Sequence, residues 1–442
     1  MRIAYVCADP GIPVFGTKGA SVHVQEVVRV LLAAGHTVDL FCRRTGGAPP
    51  AAAGRRLRVH ELARPTARAD GAGVRDDGGT DVAAREAALL AADDHLHDAL
   101  TAAGGRAGFD AVYERYSLWS RAGTRYAATR RIPAVLEVNA PLPAEQARHR
   151  GLVHAAEADA VVRDAARAAT AVVCVSEPVA AWVRGHLGPR HTTRVVVEPN
   201  GVDVDRIRPA PAAAAAAAAG RPFTVGFVGT LKPWHGTATL LDAVALLRRT
   251  VPDARLLLVG DGPEAADLRR RAGAAGIADA VTFTGAVRPA EVPGWLHRMD
   301  VAAAPYPAGD GAGYFSPLKV YEYLAAGLPV VASAVGQLPA VLDDGTTGLL
   351  VPGSDPGALA AALRRLADDP VLGRRLGRAG RASVVATRTW TQVVDRSLAA
   401  AGLRLGSADG AVAGGAPECA VADATAPDGA ASSAYQTAGE VG

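Results

Sequence analysis

Residues 309–333 read GDGAGYFSPLKVYEYLAAGLPVVAS: a Gly-rich loop, a short helical stretch and a compact β-branched run in succession. Ser316 is suited to cap the helix, Pro317 to enter its first turn and Gly327 to stop it, and LPVVAS has the length and branching of a buried strand. The spacing predicts a helix of about ten residues. Its N-terminus turns free N–H groups and the positive end of the dipole towards the loop, with Lys319 in the first turn, an arrangement that suits a phosphate. Glu322 follows on the same side; at about 1.5 Å per residue it lies roughly 9 Å from the anion end, the span from a diphosphate to a ribose hydroxyl.

Strand, loop and helix units of this kind recur along the chain. Arg2 to Ala8 is an apolar strand, followed by a loop with Gly11, Gly16 and Gly19 and by the amphipathic helix SVHVQEVVRVLLAAG. That loop lacks GxGxxG, so a dinucleotide fold is not signalled. Strands follow in HTVDLFC and LRVHEL, a polar loop over 66–80, a helix from about Asp81 to Ala103, and strands in FDAVYER and IPAVLEVNAPLP. Glu145 to Ala169 reads as helix, TAVVCVSE as strand, PVAAWVRGHLG as helix and TRVVVEPNGVD as strand. PAPAAAAAAAAG (209–220) has no polar face and is bracketed by Pro and Gly, as in a connector. A second alternating set begins at FTVGFVGTLKPWHG and continues through ARLLLVGDGP, VTFTGAV and DVAAAPYP into the opening stretch. The expected organisation is an α/β chain with parallel sheets: a first domain over 1–208, the linker, a second domain over 221–385, a helix over 386–405 crossing back to the first domain, and a disordered Ala/Gly/Ser-rich tail over 406–442. Ligands of such sheets gather at the carboxyl ends of the strands.

A chain of 442 residues, 49% apolar and 5% aromatic, is long enough for two such domains and shows no coiled-coil or disulfide-scaffold bias. Cys7, Cys42, Cys174 and Cys419 are far apart, as expected of thiols in a reducing compartment. A net charge of +3 with no basic-aromatic cluster gives no call for nucleic acid. The N-terminal stretch reads as strand and loop and no run approaches 18 apolar residues, so a cytoplasmic protein without stable membrane insertion is expected, of unknown oligomeric state. Of 47 basic residues only Lys18, Lys232 and Lys319 are lysine, leaving 44 arginines, and Asn139 and Asn200 are the sole asparagines. Residues that persist against such a bias, beside Gly or Pro in loops and helix starts, are functional candidates.

In order, GTKGAS, PNGVD, VGTLKPWHG, LLVGDGP, VTFTGAV and SPLKVYEYLAAGLPVVAS resemble the pattern of glycosyltransferase family four, over roughly residues 1 to 400. The resemblance implies a GT-B fold of two Rossmann-like domains, a retaining and metal-independent transferase, a nucleoside diphosphate sugar (UDP-sugar favoured) as co-substrate with no other cofactor, and a hydroxyl acceptor on a saccharide, lipid-linked or small natural-product molecule. The donor is expected mainly on the second domain and the acceptor on the first. Glu322 matches the second glutamate of the family's E-x7-E motif, which implies ribose binding, whereas Tyr314 stands where the first is expected. Thr230 and His235 fall where the family's phosphate-binding Arg and Lys stand, with Lys232 in the same loop, and Asn139 takes the place of a histidine near the donor sugar.

The resulting candidates are Lys232, His235 and Asn139 at the reacting centre. Gly16, Lys18, Gly19, Thr230, Gly285, Val287, Tyr314, Phe315, Ser316, Leu318, Lys319 and Glu322 are the candidates around the donor. Gly16, Lys18 and Gly19 are equally readable as a tight turn, Asn139 as a strand-end turn and His235 as a turn cap. Gly285 and Val287 can place main-chain groups beside the base, and Gly260 and Gly262 serve backbone shape. Glu114 and Arg115 can form an acceptor-side pair or a structural salt bridge, and no metal is assigned to the DVD of Asp203 and Asp205. No side chain stands out as a nucleophile. The resemblance implies a front-face displacement in which the leaving phosphate helps deprotonate the acceptor. A non-catalytic nucleotide-sugar-binding protein, and an epimerase or hydrolase on the same fold, are the alternatives.

Overall fold

The structure, a computed structural model, describes residues 1–63, 82–211, 220–309 and 313–406. The loop over 66–80, most of the Ala/Pro linker and the tail beyond 406 lie outside the described residues.

The first set of strands is β1 (Arg2–Cys7), β2 (Thr37–Cys42), β3 (Leu57–Glu61), β4 (Ala111–Arg115), β5 (Ala134–Val138), β6 (Ala171–Cys174) and β7 (Arg194–Val197). They form one parallel sheet in the order β3-β2-β1-β4-β5-β6-β7. Between them run α1 (Gly19–Ala33), α2 (Val82–Gly104), α3 (Ala122–Arg130), α4 (Leu142–Arg150), α5 (Ala155–Ala168) and α6 (Glu177–Leu187). The second set comprises β8 (Thr224–Val228), β9 (Arg255–Val259), β10 (Val281–Phe283), β11 (Val301–Ala304), β12 (Val330–Ser333) and β13 (Leu349–Val351), again parallel, in the order β10-β9-β8-β11-β12-β13. Its helices are α7 (Thr237–Leu247), α8 (Ala265–Ala274), α9 (Val292–Leu296), α10 (Leu318–Ala325), α11 (Leu338–Val341) and α12 (Pro356–Asp368), followed by α13 (Pro370–Thr387) and α14 (Trp390–Ala400).

Near-continuous apolar strands need cover on both faces, and helices supply it. Ile3 and Tyr5 of β1 lie opposite Val38 and Leu40 of β2 on one side and Ala111 and Tyr113 of β4 on the other, all buried. In each sheet the chain reverses its winding beside its first strand, between β1 and β4 and between β8 and β11. A ligand crevice opens at the carboxyl ends of such strands. The last helix does not stay with the second sheet: Trp390, Val393, Val394 and Leu398 pack with Val24, Val27 and Leu31 in the core of the first. Val202 and Thr389 form the bridge that brings α14 there, and Arg396 grips Glu198 through two hydrogen bonds of 2.7 and 2.8 Å.

Three local expectations are corrected. The helix of the opening stretch spans eight residues and has no side-chain cap, because the Ser316 hydroxyl accepts instead from the Asn200 N–H at 2.9 Å. Glu145 to Ala169 is two helices, broken where Gly151 takes a φ of 77°. Glu114 and Arg115 are not a pair, since successive side chains on a strand point to opposite faces. Glu114 accepts from the N–H groups of Gly123 and Thr124, at 3.3 and 2.7 Å, while Arg115 donates to Glu137 at 3.1 Å.

Candidate functional site

The loop after β8 and the loop after β11 meet at the second sheet's switch point. Their approach is close: a Cβ on Gly236 would fall 1.8 Å from the Pro305 carbonyl oxygen, and only glycine, at φ 68°, fits there. Above this junction Lys319, in the first turn of α10, reaches back between aromatic rings, its Nζ 4.2 Å from the Phe227 centroid and 5.4 Å from that of Tyr306. The ammonium is buried and no polar atom hydrogen-bonds to it. Burial pushes its pKa down to about 7, against the opposing pull of Glu322. A buried cation without a partner costs free energy unless an anion arrives.

His235 stands beside it. The Thr230 carbonyl accepts from its Nδ1, which assigns the tautomer. Burial, with Lys319 and Lys232 adding their repulsion, pushes the pKa of His235 down to about 3. His235 therefore does not bring to this position the positive charge of the family's lysine at neutral pH, and the amines beside it are those of Lys232 and Lys319. Lys232 lies 4.6 Å over the Trp234 ring. Gly229 (φ 145°) completes the cradle, with a Cβ placed there reaching 3.0 Å from the Lys319 Nζ.

One turn along α10, Glu322 meets Arg206, whose Nη2 is 3.4 Å away. Burial raises the Glu322 pKa, Arg206 and Lys319 oppose this, and Glu26 of α1 adds to it. Gly285, at φ 71°, bridges to Gly260, and Val287 packs in the same apolar cluster as Phe315, Tyr306 and Val320. The structure thus gathers Thr230, Lys232, His235, Phe315, Lys319 and Glu322 around one end of the second sheet.

The first half supplies the facing wall. Leu318 packs into the first half's core and lies 3.5 Å from where a Cβ on Gly19 would stand, so the starts of α1 and α10 abut. Gly16 accepts from Gln25 at 2.9 Å, and Lys18 extends to the Gly11 carbonyl at 3.3 Å within its own loop. Asn139, past the end of β5 in the first half, donates to Glu137 of the same strand. Glu137 is buried and would be pushed up by that burial, yet His23 at 2.7 Å, Arg115 and Asn139 hold it down to about 2. Tyr113 donates a further hydrogen bond to it at 2.8 Å. Tyr314, in the second half, donates its hydroxyl to Glu145 of α4.

Sequence reasoning missed Arg206, Glu137 and Glu145. The first follows PNGVDVD and could have been found there as a cation beside a turn; the other two gain their meaning from partners distant in sequence. Asp203 accepts from the N–H groups of Asp205 and Arg206, both at 3.0 Å, so the DVD is a turn. Among the described residues no group of three or more His, Cys, Asp and Glu could hold a metal ion, and no helix is long and apolar enough to cross a membrane.

Residues 17–206 match the family model described as Glycosyltransferase Family 4, and residues 222–369 that described as Glycosyl transferases group 1. The chain is 38% identical over 202 residues to the D-inositol 3-phosphate glycosyltransferase of Streptomyces avermitilis, covering 42% of each chain. It is 36% identical over 199 residues to the GDP-mannose-dependent alpha-(1-6)-phosphatidylinositol monomannoside mannosyltransferase of Mycobacterium tuberculosis, covering 43% of this chain and 51% of that one. The chain spans about half the length of the curated relatives it matches. In fold it is similar to the sucrose-phosphate synthase of Thermosynechococcus elongatus, with a TM-score of 0.65 at 24% identity over 89% of this chain and 96% of that one. It is similar also to Anabaena HepE, with a TM-score of 0.62 at 17% identity over 90% and 98%. The Glycosyltransferase Family 4 model thus matches within the first half of the chain and the group 1 glycosyl transferase model within the second, and the fold is the GT-B fold of these glycosyltransferase structures.

Proposed function

We propose that the protein is a retaining glycosyltransferase that moves a hexosyl or aminohexosyl group from a nucleoside diphosphate sugar to an acceptor hydroxyl. The observation that carries this reading is the buried, unpartnered Lys319 ammonium at the start of α10 with Glu322 one turn further on. The diphosphate would take the ammonium at the positive end of the α10 dipole, where the Leu318 and Val320 N–H groups are already bonded to the Ser316 and Pro317 carbonyls, and the ribose hydroxyls would donate to Glu322. Lys232 adds charge from the loop after β8. As the glycosidic C–O bond breaks, negative charge grows on the leaving diphosphate and these groups stabilise it. Closure of two halves over the donor excludes water and fixes the acceptor against it, so much of the rate gain comes from positioning. The leaving phosphate itself takes the acceptor proton, on the face where the new bond forms, and the anomeric configuration is retained. This chemistry asks for no metal.

A UDP-sugar is the favoured donor. GDP-mannose, specified in the name of the mycobacterial relative, is the competing one. The acceptor is a hydroxyl of a saccharide, a lipid-linked or a small natural-product molecule, and the relatives' names put inositol-bearing acceptors in the same panel. The test is mass spectrometry of the purified protein with UDP- and GDP-sugars against such acceptors. A new glycoside supports the reading. A protein that binds UDP or GDP yet neither transfers nor hydrolyses sugar from any donor is a binding protein, and the enzyme reading then fails.

A further inference from the structure

Arg206 lies between two carboxylates that belong to different halves of the molecule. Its Nη2 is 3.4 Å from Oε1 of Glu322 on α10 and 3.9 Å from Oε1 of Glu26 on α1. Its Nη1 donates to the Pro289 carbonyl at 3.3 Å, and its own N–H is held by Asp203. Glu26 is in turn held by Arg29 at 2.8 Å, whose other nitrogen is 3.5 Å from Asp203. The guanidinium is thus fixed at three points before any ligand is considered.

We propose that Arg206 is the positioning residue of the donor site, holding Glu322 ionised and aimed for the ribose, and that Glu26 opposes it by competing for the same guanidinium. This rests on the reading of Glu322 as the ribose ligand. A carboxylate accepts two hydroxyl hydrogen bonds only when ionised, and a buried one tends to protonate. The charged groups facing Glu322 are Arg206 from the segment after β7, Glu26 from α1 and Lys319 from its own helix, with the Tyr323 phenol nearby. Arg206 and Lys319 favour the ionised form, while burial and Glu26 disfavour it. Glu26 lies on the first half, so a small displacement of α1 changes which carboxylate the arginine serves.

The signs follow. Nucleotide affinity should fall as pH drops through the titration of Glu322, an acid limb in log Kd against pH. Removing the Arg206 charge moves that limb to higher pH, and removing the Glu26 charge moves it to lower pH. The experiment is UDP and GDP binding by calorimetry from about pH 5.5 to about 9 with the wild type, R206Q, R206K, E26Q and E322Q. R206Q should lose roughly tenfold or more in affinity near neutral pH, recover part of it at high pH, and be largely rescued by R206K. E26Q should bind at least as tightly as the wild type at low pH. An acid limb that R206Q leaves in place, or that R206Q and E26Q move in the same direction, overturns the proposal, since a merely structural loss lowers affinity alike at every pH.

Thermal unfolding without nucleotide separates the two readings. E322Q should cancel much of the destabilisation caused by R206Q, because the pair is then already broken. Affinity that E322Q leaves unchanged, or a wild type that binds neither nucleotide although this coupling is present, overturns the donor reading and the positioning role with it. Nucleotide binding that depends on Glu322 but shows no coupling to Arg206 overturns only the latter.

Discussion

Lys319 concentrates the chemistry of the site in one atom. An ammonium between two aromatic rings with no hydrogen-bond partner is a destabilising feature of the ligand-free protein, and its pKa of about 7 reflects that. Replacement by methionine keeps most of the volume and removes the charge. K319M should therefore melt no lower than the wild type, while UDP or GDP affinity drops by roughly ten- to a hundredfold, as for the loss of a charge-assisted bond. Calorimetry and a melting curve check both halves; parallel loss of stability and affinity would show that the lysine is structural. The same titration predicts the alkaline side of the binding profile. Lys319 must be protonated and Glu322 ionised, so log affinity against pH should be bell-shaped, falling above about 7 as the ammonium is lost, and K319M should lose that limb alone.

At the scale of the element, α3 shows how a helix start can depend on a residue distant from it. Its first N–H groups are satisfied by Glu114 at the end of β4, fully buried and pushed up to about 8 by that burial, with the two N–H bonds opposing and Asp93 assisting. A folded pKa above the unfolded one means that the folded protein holds the proton more tightly. Stability should then fall as pH rises from the ordinary carboxylate range to about 8, by up to about 1.4 kcal/mol per pH unit. E114Q, which mimics the protonated side chain, should flatten that slope: close to wild type near pH 5 and more stable near pH 8 in denaturant titrations. A slope unchanged by E114Q would mean that Glu114 does not titrate in this range. The same distance in sequence explains what could be read beforehand. The strands were legible because most are short apolar runs between Gly, Pro and polar punctuation, and α10 because Pro317, Lys319, Glu322 and Gly327 are local to it. The start of α3 was not legible, because its cap comes from another strand. Nor was the engagement of Ser316, whose partner Asn200 lies 116 residues away. In the site, Lys319 and Glu322 could be read from one helix, whereas Arg206, Glu137 and Glu145 require the two sheets to be placed.

At the scale of the whole molecule, the two halves are joined by contacts of two kinds. On one side the chain itself returns, with Trp390 sealed into the first core and Arg388 and Arg396 both bound to Glu198. Across the crevice the contacts are made by single side chains, among them Leu318 in the first core, Arg206 between Glu26 and Glu322, Gln337 donating to the Val175 carbonyl at 3.1 Å, and the Tyr314 hydroxyl on Glu145. The first kind buries large apolar area and is expected to persist, whereas the second can be made and broken at the cost of a hydrogen bond or two. Tyr314 is the most exposed to test, because Glu145 is only half-buried and regains water when the bond is lost. Y314F keeps the ring against the Tyr116 and Trp182 side of the first half and removes only the hydroxyl. It should lower global stability by no more than about 1 kcal/mol and speed amide exchange in α4 and at the start of α10. The central strands β1 and β8 should keep wild-type protection, because they unfold only with the whole. If exchange in α4 and α10 stays at the wild-type rate, the Tyr314 hydroxyl does not hold the crevice closed, and that role falls to the other crossing contacts, the hydrophobic seat of Leu318, Gln337 on Val175 and Arg206.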